Sequence, residues 1–433
     1  MRYHSTSNLI LKADFREATI QGQAPDKGLY FPDVLPVLPA SFFKNLSSMS
    51  REDMALEVIL PYVGDTIPGN VLKRIVEETI DFPFPLVKVT ENIYSLELFH
   101  GPTLAFKDVG ARFMSRCLGY FLGANSQKVT VLVATSGDTG GAVANGFHDV
   151  DGVEVVILYP KGKVSSIQEL QLTSPGKNIR AIEIDGNFDD CQAMVKQAFM
   201  DEELTKQIFL TSANSINVAR WLPQQFYYFF ALQQWKKISE PPVICVPSGN
   251  FGNICAGLMA FKSGLPAKRF IAGCNENNTV PEYLLSGEYN PKPAVATISN
   301  AMDVGSPSNF VRILEIFNNE FHSLKNIMSS YSISDVETSE VLRRVYSEKN
   351  YLLDPHGAVA YASLEKYFTE HGSCPSILLE TAHPVKFYDV VEPIIGVKIP
   401  IPDGIRELMA KKSQKAVMDV DYRSFKDYLM SKK

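Results

Sequence analysis

Val129-Thr130-Val131-Leu132-Val133-Ala134-Thr135-Ser136-Gly137-Asp138-Thr139-Gly140-Gly141-Ala142 runs from a strand through a glycine loop into a helix of small residues. Its opening run is apolar and β-branched with no polar alternation, the pattern of a strand buried on both faces. The same design returns at Pro242-Val243-Ile244-Cys245-Val246-Pro247-Ser248-Gly249-Asn250-Phe251-Gly252-Asn253-Ile254-Cys255-Ala256-Gly257. Open α/β sheets bind their ligands in loops at the C-terminal ends of parallel strands. Glycines let backbone N–H groups approach an anion, and a helix N-terminus adds donors and a positive field.

Outward from these two segments, strands and helices alternate. Further strands are expected at Val153–Tyr159, Ile179–Ile184, Ile271–Gly273 and Ile377–Leu379. Helices are expected at Ser165–Leu172, at Asp189–Met200, and in one long stretch through Tyr227 and Trp235. This order predicts an α/β fold of two doubly wound domains with open, mostly parallel sheets, plus an N-terminal segment. The expected boundaries are an N-terminal domain at 1–95, a smaller α/β domain at 96–215 and a larger one at 216–433. Within the first, Ser50 caps a helix to Leu60 and a second covers Val71–Ile80. Residues 403–433 read as a peripheral, charged helical tail.

The chain has 433 residues, room for two or three domains of ~150 residues each. Its 42 basic and 48 acidic residues leave a net charge of −6, against the basic excess that nucleic-acid surfaces show. The densest basic cluster, Lys411, Lys412 and Lys415, reads as a solvated helix face. No apolar run approaches the ~20 residues of a membrane span. No basic and apolar leader is visible. The six cysteines form no C-x-x-C pair and read as buried thiols in a reducing compartment. A cytoplasmic protein without nucleic-acid or membrane partners is expected. No His, Cys and carboxylate spacing suggests a metal.

The two glycine loops differ in charge. Gly249-Asn250-Phe251-Gly252-Asn253 carries no acid and suits a phosphate. The other loop carries Asp138, which repels a dianion, although its Ser136 and Thr139 hydroxyls suit a singly charged carboxylate. Neither loop is a G-x-G-x-x-G or Walker motif. Upstream lies Leu98-Phe99-His100-Gly101-Pro102-Thr103-Leu104-Ala105-Phe106-Lys107-Asp108-Val109-Gly110-Ala111-Arg112-Phe113. It brings one lysine from an apolar approach to the start of a helix. Desolvation and a helix N-terminus both disfavour the ammonium form. A lysine so placed attacks an aldehyde cofactor. Taken alone, such a lysine is more often one that snorkels from a packed helix to the surface.

These three segments, in this order, resemble the threonine synthase family, within the tryptophan-synthase β (fold type II) group of pyridoxal-phosphate enzymes. The resemblance extends to Ala24-Pro25-Asp26-Lys27-Gly28-Leu29-Tyr30-Phe31-Pro32 and to Ala213-Asn214-Ser215-Ile216-Asn217 with Arg220 and Pro223-Gln224. It continues through Asp354-Pro355-His356-Gly357-Ala358-Val359 and Thr381-Ala382-His383-Pro384. The N-terminal block is that of the longer, bacterial and fungal type.

The resemblance implies pyridoxal 5′-phosphate as cofactor. Lys107 matches the family's Schiff-base lysine. Gly249, Asn250, Phe251, Gly252 and Asn253 match the cradle for the cofactor phosphate. Thr381 matches the position facing the pyridine nitrogen, and Asp138 the position near the 3′-oxygen. Ser136, Gly137 and Thr139 match contacts to the substrate carboxylate. Arg220, with Lys163, Ser165 and Asn217, is assigned to the substrate phosphate, for which an arginine fork is suited. The implied reaction turns O-phospho-L-homoserine and water into L-threonine and phosphate, the last step of threonine biosynthesis. Alternatives are another lyase of the group, such as a serine/threonine dehydratase or a phospholyase, or a non-catalytic cofactor-binding relative. A monomer or homodimer is expected. His100, His356 and His383 read as structural rather than catalytic.

Overall fold

The two long apolar runs, Val129–Ala134 and Val243–Pro247, form strands. The computed structural model describes residues 1–123, 128–236 and 240–431. In it the chain divides into two compact units. The Lys107 unit comprises Arg2–Tyr30, Lys107–Arg220 and Ile401–Lys433; the Asn250 unit comprises Phe31–Phe106 and Trp221–Pro400, with Met1.

The sheet of the Lys107 unit is wholly parallel. Its order is Ala416–Asp419, Ile179–Asp185, Val153–Pro160, Val129–Ala134, Phe209–Ser212. Leu132, Val156, Leu158 and Ile182 share one face, covered by Met194 and Val195 of helix Phe188–Met200 and by Phe425 and Leu429 of helix Tyr422–Met430. Ile157, one position out of phase, faces the other side. There it closes on Gly140, where an added Cβ would sit 3.1 Å from Ile157 and 2.5 Å from Leu172. Helices Asp138–Gly146 and Ser166–Thr173 therefore cover the second face. Near the N-terminus Tyr3–Ser5 pairs antiparallel with Asn8–Ala13. Asp14 and Glu17 then form a capping box on helix Phe15–Gln21.

The sheet of the Asn250 unit has the order Met328–Ser332, Arg269–Cys274, Val243–Pro247, Ser376–Glu380, Ile93–Glu97, Leu86–Lys88. All pairs are parallel except the last, an antiparallel edge. Val243, Cys245, Ile271 and Leu378 pack under Val341 and Leu342 of helix Asp335–Lys349 and Val359 and Leu364 of helix Pro355–His371. Phe270 faces the opposite side, against Tyr228 and Phe261. Ser50 caps helix Arg51–Val63, accepting the Asp53 N–H at 3.0 Å. The two mostly parallel α/β sheets and the N-terminal elements agree with the expected fold class.

Three local expectations are corrected. The expected helical tail holds helices Asp403–Met409 and Tyr422–Met430, but also strand Ala416–Asp419, which completes a sheet; its last two residues lie outside the described ones. Four residues between charged flanks carry too little apolar length to announce a strand. Lys411 and Lys412 are exposed on a loop, not a helix face, and Lys415 bonds Glu183 at 2.9 Å and also Glu169. The long helix through Trp235 is three pieces: Val218–Trp221, a 3₁₀ turn at Leu222–Gln225, and Phe226–Gln234. Pro223 lacks the N–H that a continuous α-helix needs. Five of the six cysteines are buried and all six thiols are free. No helix among the described residues is long and apolar enough to cross a membrane.

Candidate active site

Lys107 is the first residue of helix Lys107–Leu122 and is partly buried. Its approach is fixed by main-chain bonds to the Thr381 block. Phe106 N–H donates to the Thr381 carbonyl at 2.9 Å, His383 N–H donates to Leu104 at 3.0 Å, and Ala105 bridges Ala382. The Lys386 ammonium donates to the Thr103 carbonyl at 2.9 Å, and the Tyr227 hydroxyl donates to the Phe106 carbonyl. Leu104 holds φ at +56°, a strained value for a branched residue. The peptide before the lysine is thus pinned along the end of strand Ser376–Glu380, beside buried Thr381.

The loop after Val129–Ala134 is built on Thr135, whose hydroxyl oxygen accepts the N–H groups of Gly137 and Gly140, each at 2.9 Å. Gly137 has φ +134°, and a Cβ there would lie 2.5 Å from the Gln168 side chain. Asp138 is buried and accepts from the Gln168 amide at 2.8 Å. The same amide's oxygen accepts the Ser165 N–H at 3.0 Å, and Ser165 caps helix Ser166–Thr173. Gln168, which the sequence reading did not single out, therefore ties Asp138 to Ser165. Ser136 and Thr139 are partly buried, and Lys163 is exposed.

Asn217 is buried, and its amide is committed to the Thr19 and Ser212 carbonyls at 2.9 and 3.1 Å. Arg220 is also buried and donates to the Ala213 carbonyl. It lies across the lysine helix: a Cβ on Gly110 would be 2.4 Å from the Arg220 carbonyl and 3.3 Å from its Nε. Lys107, Ser136–Thr139 and Arg220 belong to the Lys107 unit; the 249–253 loop and Thr381 belong to the Asn250 unit.

That second loop leaves strand Val243–Pro247 and opens helix Gly252–Lys262. Gly249 touches backbone, since a Cβ would be 2.5 Å from Met302 Cα. Phe251 is left-handed at φ +59° and buried against Phe310. A non-glycine residue held there costs ~1–3 kcal/mol and marks an over-determined turn. Asn250 Oδ1 accepts the Ser308 N–H at 2.6 Å, and its carbonyl accepts the Asn309 amide at 3.1 Å. Asn253 is only 5% exposed; its Oδ1 accepts the Tyr228 hydroxyl at 2.9 Å, while its Nδ2 has no hydrogen-bond partner among the described residues. An orphaned buried donor costs ~1–3 kcal/mol unless an acceptor arrives. A neutral glycine loop, a helix N-terminus and a waiting amide fit a phosphate.

Beside Thr381 lies a buried network that sequence reasoning missed. Glu380 is fully buried and accepts the Asp354 N–H at 2.5 Å. Burial, and then the Asp354 charge, push its carboxyl well above the usual range. Asp354 Oδ2 pairs with His356 Nδ1 at 2.6 Å, and His356 Nε2 accepts the Ala301 N–H at 3.2 Å. With Nε2 accepting, the ring N–H on Nδ1 faces Asp354. His356 and Asp354 stood in the quoted blocks; burial, invisible in a single sequence, is what makes them a network.

His383 stacks edge-on against Phe99 and accepts the Val385 N–H at 3.1 Å. Burial, then His100, lower its pKa to about 4; Glu97 and Asp354 oppose this and Lys386 assists it. The unfolded chain then takes up this proton first. Its contribution is complete above the ordinary value of 6.5 and is lost as pH falls toward 4. Urea unfolding from pH 7 to 4 should show the parent losing ~3 kcal/mol more than His383→Asn. Equal acid losses would refute a neutral, buried His383.

Comparison with known proteins bears on the same residues. A pyridoxal-phosphate dependent enzyme model matches residues 83–375, a threonine synthase N terminus model matches 2–80, and a threonine synthase C-terminal model matches 357–429. Threonine synthase of Haemophilus influenzae is 45% identical, over 96% of this chain and 96% of its own. The crystal structure of threonine synthase from Escherichia coli superposes with a TM-score of 0.94 at 40% identity, covering 100% of both chains. That of the pyridoxal-phosphate-bound threonine synthase from Brucella melitensis gives 0.92 at 35%, covering 100% of this chain and 99% of its own. Matched from its N-terminal strands to its C-terminal helix, the chain belongs to the threonine synthase family of pyridoxal-phosphate-dependent enzymes.

Proposed function

We propose that this enzyme converts O-phospho-L-homoserine and water to L-threonine and phosphate, with pyridoxal 5′-phosphate carried on Lys107. The observation that carries the cofactor assignment is the 249–253 loop, with its buried amide donor at a helix N-terminus. When bound, the cofactor supplies an electron sink for a carbanion at the substrate Cα. Lys107 is the base at that carbon, and proximity makes its single amine effective. Gly249, Asn250, Phe251, Gly252 and Asn253 hold the cofactor phosphate. Thr381 would offer the pyridine nitrogen a neutral hydroxyl, and Asp138, oriented by Gln168, would serve the 3′-oxygen. Ser136, Gly137 and Thr139 bind the substrate carboxylate. Arg220 binds the substrate phosphate; its burial beside the lysine helix supports this, whereas Asn217 already spends its amide on the main chain and Lys163 stands in solvent. The reaction is placed in the cytoplasm. The test is phosphate release from O-phosphohomoserine with threonine identified as product. A keto acid would instead indicate a dehydratase-like lyase, and no turnover a non-catalytic relative.

Arg220→Lys keeps the charge and loses the fork. It should retain the cofactor and its absorbance, and lose roughly ten- to hundredfold in kcat/KM for O-phosphohomoserine. A side elimination from L-serine should change far less. Equal losses on both substrates would make Arg220 a structural anchor only.

A further inference from the structure

Arg312, on helix Phe310–Ile316, has no part in the reaction. It is 0% exposed, among the largest fully buried side chains of the chain. Its Nη1 donates to Asn309 Oδ1 at 2.8 Å. Asn309 in turn donates its amide to the Asn250 carbonyl at 3.1 Å, while neighbouring Ser308 N–H meets Asn250 Oδ1 at 2.6 Å. The guanidinium carbon lies 4.2 Å from the Trp221 ring centroid. Its charge is also felt by Cys255, the fourth residue of helix Gly252–Lys262, whose thiol burial pushes up to about 12 and Arg312 pulls back.

A guanidinium cannot shed its proton on burial. It therefore keeps its donors, and Asn309 Oδ1 takes one of them. Packing on Trp221 holds the guanidinium but does not explain why the hydrogen bond runs through Asn309 to the glycine loop.

We propose that Arg312 is a positioning residue for the cofactor phosphate: through Asn309 it fixes Asn250 of the 249–253 loop. The inference rests on the cofactor reading of that loop. It does not require Arg312 to touch the phosphate.

The test compares two ligands of apo-protein, pyridoxal 5′-phosphate and pyridoxal, which share a ring and differ in the phosphate. Binding is followed by cofactor absorbance and tryptophan fluorescence. In the parent the phosphate should confer a large preference. Arg312→Met should weaken binding of pyridoxal 5′-phosphate roughly ten- to hundredfold and leave pyridoxal nearly unchanged, the loss of a charge-assisted bond being of that size. Arg312→Lys, which also guards against misfolding of the Met variant, should fall between. Equal weakening of both ligands, or an unchanged preference in both variants, would overturn the proposal. A parent that binds the two ligands equally would overturn the phosphate-loop reading itself, which is a different result.

Discussion

Lys107→Ala should fold, melt close to the parent and make no detectable threonine. Loss of a positioned general base alone removes ~10²–10⁴-fold in rate, and the covalent hold on the cofactor goes with it. The fold should survive because the approach is pinned by main-chain bonds that the substitution leaves in place, from Phe106 to Thr381 and from His383 to Leu104. Alanine is also a better helix former than lysine at the first turn. Purified parent should be yellow, and borohydride followed by mass mapping should place the cofactor on Lys107. Mapping to another lysine, or turnover by the variant, would end the assignment.

Gly357→Ala should be strongly damaging to the Asn250 unit. A Cβ at Gly357 would lie 1.6 Å from Glu380 Oε2, and Gly357 N–H bonds Asp354 Oδ1 at 2.6 Å. Glu380 has nowhere to swing, since its other oxygen holds the Asp354 N–H. Overpacking of this kind costs ~1–3 kcal/mol or more, here next to the peptide that leads to Lys107. Denaturation midpoints and cofactor retention should fall together. A melting curve like the parent's would mean the acid pair is looser than drawn. Glu380→Gln tests the same pair without adding bulk. Folded Glu380 keeps a proton that the unfolded chain releases above its ordinary value of 4.5, so parent stability falls as pH rises past that value. Glutamine has no proton to release, so the variant should gain on the parent with rising pH.

How much of this was legible differs by residue. Val129–Ala134 and Val243–Pro247 are apolar, β-branched runs, and both became interior parallel strands. Ser50 followed by Asp53 announced a helix start that the structure keeps. Phe209–Ser212 and Met328–Ser332 gave no such signal, because short strands with hydroxyl residues resemble loops until neighbours pair with them. At the site, the glycine loops and the lysine were visible as motifs. The partners that orient them were not. Gln168 reaches Asp138 across 30 residues, and Arg312 reaches Asn250 only through Asn309. Such links depend on side chains meeting in three dimensions, and a lone Gln or Arg in a sequence defaults to the surface.

Strand Ala416–Asp419 has a further meaning for how the chain is made. It pairs with Ile179–Asp185, and the ion pair that guards the join, Lys415 with Glu183, links residues 232 apart in sequence. During synthesis, every earlier strand of that sheet leaves the ribosome long before its outer neighbour. Until then Ile179–Asp185 presents a row of open N–H and C=O groups, a template for any passing strand. So distant a partner is also slow to find. The nascent enzyme's exposure to misassembly is therefore set by the arrival of four residues near the C-terminus rather than by its large apolar core.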